Sequence, residues 1–530
     1  MSPFHELRLA GDRQYPFFKV QLAKLQFARL VQDRRFHFCL IAAMALLVLF
    51  SKLHIGDLGG YDDAVYAHEG KQVLATGQWW SVYLNGQPDF DKPPMFVWLE
   101  AISMTVFGVT DFAAKFPAAL LGFASILLVY FLACELSPSY RLPVWAMLIL
   151  LCTQVFVRFS MRAMTDVPFT FFFLLTIFAY LKGLKRSRYF LLFGLAASFA
   201  ILTRSFLGAI PIGIVIAHMI VTGQARRLLS KSFIAGLVIA IGLPMVWFVS
   251  QYLIHGGEFL ARHFSWTVEN LPLANGKDSV QFRFGLFQYP LMLVESYWPW
   301  LPLMLIGVWL QAKRFVEERD SSAALLLIWV LFVIVPFSLI HYKWLRYILP
   351  VFPAFAILSA FPICHWIEQR KKAIFPSIHL KIIYALLVLT MAVMAVNPKY
   401  RERPEELRQL APIAEAATPP EKRILLYTER APREAHLFQL IWYADRQCVL
   451  LDDINETSAR LERNPNRAVI MDKAAFHNSI ANSTMKVLIL GETEGFVCWT
   501  INSLAETTKQ PETTDANNSI QVQLTPTGGN

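Results

Sequence analysis

GGYDDAVYAHEGKQVLATGQWWSVYLNGQPDFDKPP, residues 59–94, lies between two apolar segments and decides how the rest of the chain is read. It holds Asp62, Asp63, Glu69, Asp89 and Asp91, more carboxylates than a connecting loop needs. Beside a bilayer, such groups point to function by default. Lys92 follows Asp91 directly, and Pro93 and Pro94 fix the entry into the next apolar helix.

Composition names the solvent. Of 530 residues 55% are hydrophobic and 17% charged, with 42 phenylalanines and a mean hydropathy of +0.42: the profile of a membrane protein. The formal net charge of +10 implies no nucleic-acid partner, because the basic residues cluster in short connections between apolar segments, as cytoplasmic loops do. None of the six cysteines is in metal-ligand spacing. Cys448 and Cys498 alone could pair, if their region is in an oxidising compartment; two buried thiols fit equally well.

The long apolar runs are 36–53, 116–134, 142–157, 167–181, 189–202, 206–221, 232–253, 289–310, 323–340, 347–367 and 378–396. They make about eleven expected spans, each near the ~20 residues a crossing helix needs. Ahead of them, residues 1–35 form a cytoplasmic basic segment, amphipathic from Phe17 on, with no cleavable signal pattern. The stretch 94–107 is a twelfth candidate. If it crosses, the clusters Lys182–Arg188, Arg226–Lys231 and Lys313–Arg314 fall outside; if it is a re-entrant or interfacial helix, all fall inside, joined by Arg370, Lys371 and Lys372. The positive-inside rule selects the second topology. The acidic stretch then shares the external face with Arg162, Asp166, Arg204, His263 and the HYKWLRY run at 341–347. One site on that face is the economical reading.

The expected architecture is a polytopic α-helical membrane domain over 36–397, with a catalytic external loop at 54–115. A small external α/β domain follows over 398–501, where short β-rich runs alternate with helix-like stretches. The tail 502–530, rich in Thr, Asn and Gln, is expected to be disordered.

The acidic stretch resembles the first external loop of the protein mannosyltransferase and aminoarabinose transferase superfamily, polyprenyl-phosphate-sugar-dependent enzymes of the GT-C fold. The family's D-E-x-x-Y-A, G-x-W, L-N-G and F-E-K-P-P correspond here to Asp62-Asp63 with Tyr66-Ala67, Gly77 with Trp79, Leu84-Asn85-Gly86, and Phe90-Asp91-Lys92-Pro93-Pro94. GVTDFAAKFPAAL at 108–120, RAMTDVPFTFF at 162–172, LTRSFLG at 202–208 and YILPVFPAFAIL at 347–358 continue the likeness in the family's order. Two positions depart from it. The second carboxylate of the pair is an aspartate, Asp63, and the lysine of a K-G-P turn is replaced by Arg204, followed by Ser205.

The resemblance implies a sugar donor on a polyprenyl phosphate, whose phosphate leaving group needs cations rather than a general acid. Lys92, Arg204, Arg346 and Lys343 are the expected donor-phosphate contacts. Asp62 first, Asp166 second, and Asp63 with them, are the candidate catalytic carboxylates, orienting the acceptor or taking its proton. Tyr66, Tyr83 and Tyr347 are candidate substrate contacts, although Tyr83, Trp79 and Trp80 also suit the membrane interface. Plain structural roles stand beside these: helix caps for Asp62 and Asp166, snorkelling for Lys92, and interfacial anchoring for Arg204, Lys343 and Arg346. Asp91 and His263 could share a divalent ion, but two ligands far apart in sequence do not make an obligatory cofactor. The polyprenyl chain would take an apolar groove lined from 169–178 or 296–304.

The expected activity is inverting transfer in a bacterial inner membrane, from undecaprenyl phosphate to a periplasmic glycolipid of the lipid A type, or to a protein as in O-mannosyltransferases. A lipid-linked sugar flippase would call for internal repeats or midplane charges, which the sequence lacks. A non-catalytic scaffold would tolerate loss of Asp62.

Overall fold

The structure, a computed structural model, describes residues 34–59, 61–270, 287–340, 343–369, 406–454, 460, 467–480 and 487–501, with isolated positions between 381 and 392. The basic N-terminal segment up to 33, most of the apolar run 378–396, the cluster 370–372 and the tail from 502 lie outside the described residues. From the N-terminus come α1 (Arg34–Phe50), α2 (Tyr61–Thr76), a short hairpin of β1 (Tyr83–Leu84) and β2 (Gln87–Pro88), α3 (Met95–Phe107), α4 (Asp111–Leu136), α5 (Arg141–Leu151), α6 (Gln154–Ser160), α7 (Asp166–Lys185) and α8 (Tyr189–Arg204). Then follow α9 (Ile210–Val221), α10 (Lys231–His255), α11 (Gly257–Asn270), α12 (Gln288–Ser296), α13 (Leu301–Glu318), α14 (Ser321–Leu339) and α15 (Phe352–Gln369).

Among the described residues six stretches are long and apolar enough to cross a bilayer: 111–136, 166–185, 189–221, 231–255, 321–339 and 345–367. A seventh is the pair α5 and α6, bent by 65°. Several of the eleven expected spans are therefore not single straight helices. The 142–157 run breaks at Thr153, whose hydroxyl donates to Ile149 O at 2.7 Å and competes with continuation of the helix. The 289–310 run divides at Pro299 and Pro302, so that α12 has 9 residues and α13 runs on to Glu318.

The stretch 189–221 is long enough for one span, but its hydrogen bonds fold it in two. Arg204 pairs with Asp166 at the start of α7, whereas His218 Nδ1 meets the Tyr180 hydroxyl at 2.6 Å, fourteen residues further along both chains (204 to 218, 166 to 180). Fourteen residues are about 21 Å of helix. So α8 climbs against α7 and α9 descends beside it, as two separate apolar runs predict. The reversal, a 3₁₀ turn over Ser205–Ala209, is so tight that a Cβ on Gly208 would lie 2.3 Å from Ile201 Cα. Only glycine fits there. Below it, Cβ atoms on Gly194 and Gly236 would lie 2.3 and 2.4 Å from facing carbonyl oxygens, so α8 and α10 touch backbone to backbone, as small residues permit between membrane helices.

With 13 residues, about 20 Å, α3 is shorter than the ~30 Å apolar core of a bilayer. Ile102, Val106, Phe107 and Val109 are exposed, which suits a helix lying at the interface.

The last region contains α16 (Glu406–Ala416), β3 (Ile424–Tyr427), α17 (Arg433–Tyr443), β4 (Cys448–Leu450), β5 (Val469–Asp472), β6 (Val487–Glu492) and β7 (Phe496–Ile501). Its sheet has the order β4-β3-β5-β7-β6, parallel from β4 to β5 and antiparallel from β5 to β6. Alternation along the strands sorts the core. Ile424, Leu426 and Ile470 face α16 and α17; Leu425, Val469 and Trp499 face Phe476 and Ile480. Cys448 and Cys498 are free buried thiols on strands separated by two others, and burial pushes both pKa values up to about 12. They do not pair.

This region is docked on the acidic stretch. Trp442 Nε1 donates to Asp111 Oδ1 at 2.8 Å, and the Tyr443 hydroxyl donates to Asp111 Oδ2 at 3.2 Å while accepting from Leu58 N–H. Lys71 reaches Trp442 O at 3.0 Å and Asp445 at 2.5 Å. The Asn85 amide pairs with both backbone groups of Cys448, at 2.8 and 3.1 Å.

Candidate active site

Helix α2 begins with Asp62 and Asp63 in its first turn, where the helix dipole favours carboxylates. Asp62 and Tyr66, one turn apart, face the same way. Both line a cavity of about 170 Å³ together with Asp91, Lys92, Arg204, Ser205, Phe206, Leu207, His263, Arg346 and Tyr347. Segments from five parts of the chain thus meet at one place.

Three cations reach this cavity, each differently held. Arg346 pairs with Asp62; its buried Nε has no hydrogen-bond acceptor. Arg204, 8% exposed, pairs with Asp166 and donates to Thr165 Oγ1 at 3.1 Å. Lys92 Nζ pairs with Asp91 at 2.7 Å. The Tyr347 ring lies between the two arginines, 5.8 Å from the Arg346 guanidinium and 6.0 Å from that of Arg204, close enough for cation–π attraction.

His263 ties three segments together. Its Nδ1 lies 2.6 Å from Phe90 O and its Nε2 2.9 Å from Ser205 Oγ. A carbonyl only accepts, so Nδ1 carries the proton and Nε2 accepts from the serine. Burial lowers the His263 pKa, consistent with this neutral form. A divalent ion shared with Asp91 would have to displace the Ser205 hydroxyl and compete with Lys92. Among the described residues no group of three or more His, Cys, Asp or Glu side chains could hold a metal. Ser205 takes φ 53°, ψ −137°, a backbone region that costs an L-residue about 1–3 kcal/mol and clusters at functional sites.

Four of the expected site residues are not on the cavity wall. Asp63 points away and pairs with Arg162 at 3.0 Å; burial raises its pKa despite that arginine. Asp166, 1% exposed, stands behind the wall, paired with Arg204 and with its charge also felt by Arg346. Lys343 Nζ caps Ile340 O at 2.6 Å. Tyr83 belongs to the hairpin that meets the C-terminal region. Sequence reading also overlooked Glu100, the one charged residue of α3, and His68, which joins Ile441 O at 3.2 Å to Asn85 N–H at 3.3 Å. A lone carboxylate in an apolar 13-mer was the signal available for the first.

A family model described as dolichyl-phosphate-mannose-protein mannosyltransferase matches residues 91–251. An undecaprenyl phosphate-alpha-4-amino-4-deoxy-L-arabinose arabinosyl transferase of Aeromonas hydrophila is 28% identical over 65% of this chain, but the match spans only 63% of that enzyme. ArnT from Cupriavidus metallidurans, solved bound to undecaprenyl phosphate, superposes with a TM-score of 0.68 at 18% identity, covering 88% of this chain and 98% of that one. The chain is similar to glycosyltransferases of the GT-C superfamily. A more distant GT-C likeness is the oligosaccharyltransferase AglB of Archaeoglobus fulgidus, with a TM-score of 0.56, 14% identity and coverage of 84% and 70%. The ArnT likeness is one of fold and extends over the helical region, and the acidic stretch with its cations is where the cavity lies.

Proposed function

We propose that the chain transfers a sugar, with inversion, from undecaprenyl phosphate in a bacterial inner membrane to a periplasmic acceptor, a glycolipid of the lipid A type. What supports this reading is the convergence of Lys92, Arg204 and Arg346 on one cavity with the Asp62 carboxylate. The bond from the anomeric carbon to the donor phosphate breaks, its electrons leave with undecaprenyl phosphate, and the acceptor oxygen bonds the same carbon from the opposite face. Fixed cations at the departing phosphate are worth most in a site shielded from water.

Arg346 gives the order of events. Its terminal nitrogen holds Asp62, so a phosphate that takes this nitrogen competes with Asp62 and releases that carboxylate. A phosphate acceptor comes as an anion and needs no base; Asp62 then orients the donor sugar. The matching family model's description names a protein as acceptor; a hydroxyl on such an acceptor would need Asp62 to take its proton. No divalent ion is obligatory in this reading, so a chelator should leave transfer unchanged.

Mass spectrometry of lipid A and membrane glycoproteins from cells with and without this gene tests the proposal. A loss of one sugar from a glycolipid supports the first acceptor and a loss from a protein the second. No change in any glycan while the protein is expressed would remove the proposal.

A further inference from the structure

Behind the cavity, α2 and α3 press together at Gly70, where a Cβ would lie 3.1 Å from Glu100 Cβ and 3.4 Å from Ala101 N. Glu100 sits in this seam, 0% exposed, and neither of its carboxyl oxygens has a hydrogen-bond partner. Asp63 and Glu69 on α2 are the charged groups that act on it; Asp89 after the hairpin acts on Glu69, and Arg162 ahead of α7 and Lys115 on α4 act on Asp63. Of these cations Arg162 bonds Asp63 and Lys115 donates to Gly56 O at 2.6 Å; neither bonds Glu100. A dry carboxylate without a donor costs several kcal/mol, so the group sits there as the acid.

The two helices carry different parts of the cavity wall: α2 brings Asp62 and Tyr66, and the turn into α3 brings Asp91 and Lys92. We propose that Glu100 is a positioning residue whose neutral acid lets α2 and α3 close on each other, and whose ionisation drives them apart and separates Asp62 from Lys92. Burial, and next the Asp63 charge, push the Glu100 pKa well above the ordinary carboxylate value. A carboxyl with a raised folded-state pKa binds its proton more tightly in the folded than in the unfolded chain. Its contribution to stability is complete below the unfolded value and is lost as pH rises through the folded one.

The test is the melting temperature of the full-length protein in detergent across the pH range, wild type against Glu100→Gln. The wild type should fall progressively below the variant as pH rises, with the gap closing in acid. Parallel curves at all pH values overturn the proposal. If Glu100→Gln does not fold, Glu100→Met replaces it with the same two outcomes. The consequence for the cavity rests on the transferase reading and is read separately: transfer should drop reversibly at alkaline pH in the wild type and stay flat in the variant. Melting curves that diverge without any transfer activity would sink that reading and spare the role of Glu100.

Discussion

Asp62 and Asp63 are neighbours with the same side chain, each ion-paired to an arginine, yet they belong to different worlds. About 100° of helix rotation per residue turns Asp62 to a cavity with three cations and Asp63 to a seam holding Glu100 and Glu69, two further buried carboxyls. On the front face the pairs are half-open, 24% and 23% exposed for Arg346 and Asp62, and a ligand can exchange with them. On the back face Arg162 is equally open at 24%, but Asp63 is only 4% exposed, so this carboxylate, unlike Asp62, is closed to a ligand. The same chemistry therefore serves reaction on one side and packing on the other.

The contrast breaks most easily at the front. Asp62→Asn should reduce transfer at least about a hundredfold, the usual consequence of losing a group that acts at the reacting centre, while the melting temperature moves little. Lys92→Met should behave likewise. If Asp62→Asn instead melts early with transfer per folded molecule intact, the two faces have been assigned the wrong way round.

At the back the expected change is in stability. Asp63→Asn removes a charge-assisted bond to Arg162, about 1–3 kcal/mol, which should appear as a lowered melting temperature with transfer per folded molecule largely kept. An equal collapse of transfer would extend the reacting centre through the helix.

A third test concerns the docked C-terminal region, where burial, with Lys71 next, lowers the His68 pKa from 6.5 to about 3. The unfolded chain binds this proton more readily than the folded one, so the stabilisation is complete above about pH 6.5 and is lost as pH falls toward 3. His68→Gln should flatten the acid limb of the stability curve. An unchanged limb would mean that His68 does not govern undocking.

Much of this was readable beforehand because apolar run length and charge asymmetry report on the bilayer directly. The hairpin between α8 and α9, the short α3 and the gathering of Asp62, Lys92, Arg204 and Arg346 all follow from those two signals together with the family likeness. What stayed hidden depends on phase and on distant partners. That Asp63 turns away from the cavity is a matter of one residue of helix rotation. That Asp166 works behind Arg204, and that Asn85 holds the edge strand at Cys448, requires contacts across 38 and 363 residues of chain. Proline breaks at Pro299 and Pro302 were visible as residues, but an uninterrupted apolar run outweighed them.

The smallest expected effect lies on the cavity wall, at Ser205. Its positive φ asks for glycine, as the family's K-G-P turn has it, while its hydroxyl holds His263 against the cavity. Ser205→Ala and Ser205→Gly both lose that hydrogen bond, so their difference isolates the backbone. This positive-φ backbone costs an L-residue about 1–3 kcal/mol, and the extra freedom glycine gives the unfolded chain takes back about 0.5–1 kcal/mol. Ser205→Gly should therefore melt above Ser205→Ala by an amount near 1 kcal/mol. Equal melting temperatures would mean that the turn relaxes when the hydroxyl is lost, and that His263, rather than the chain reversal, holds Ser205 in its strained state.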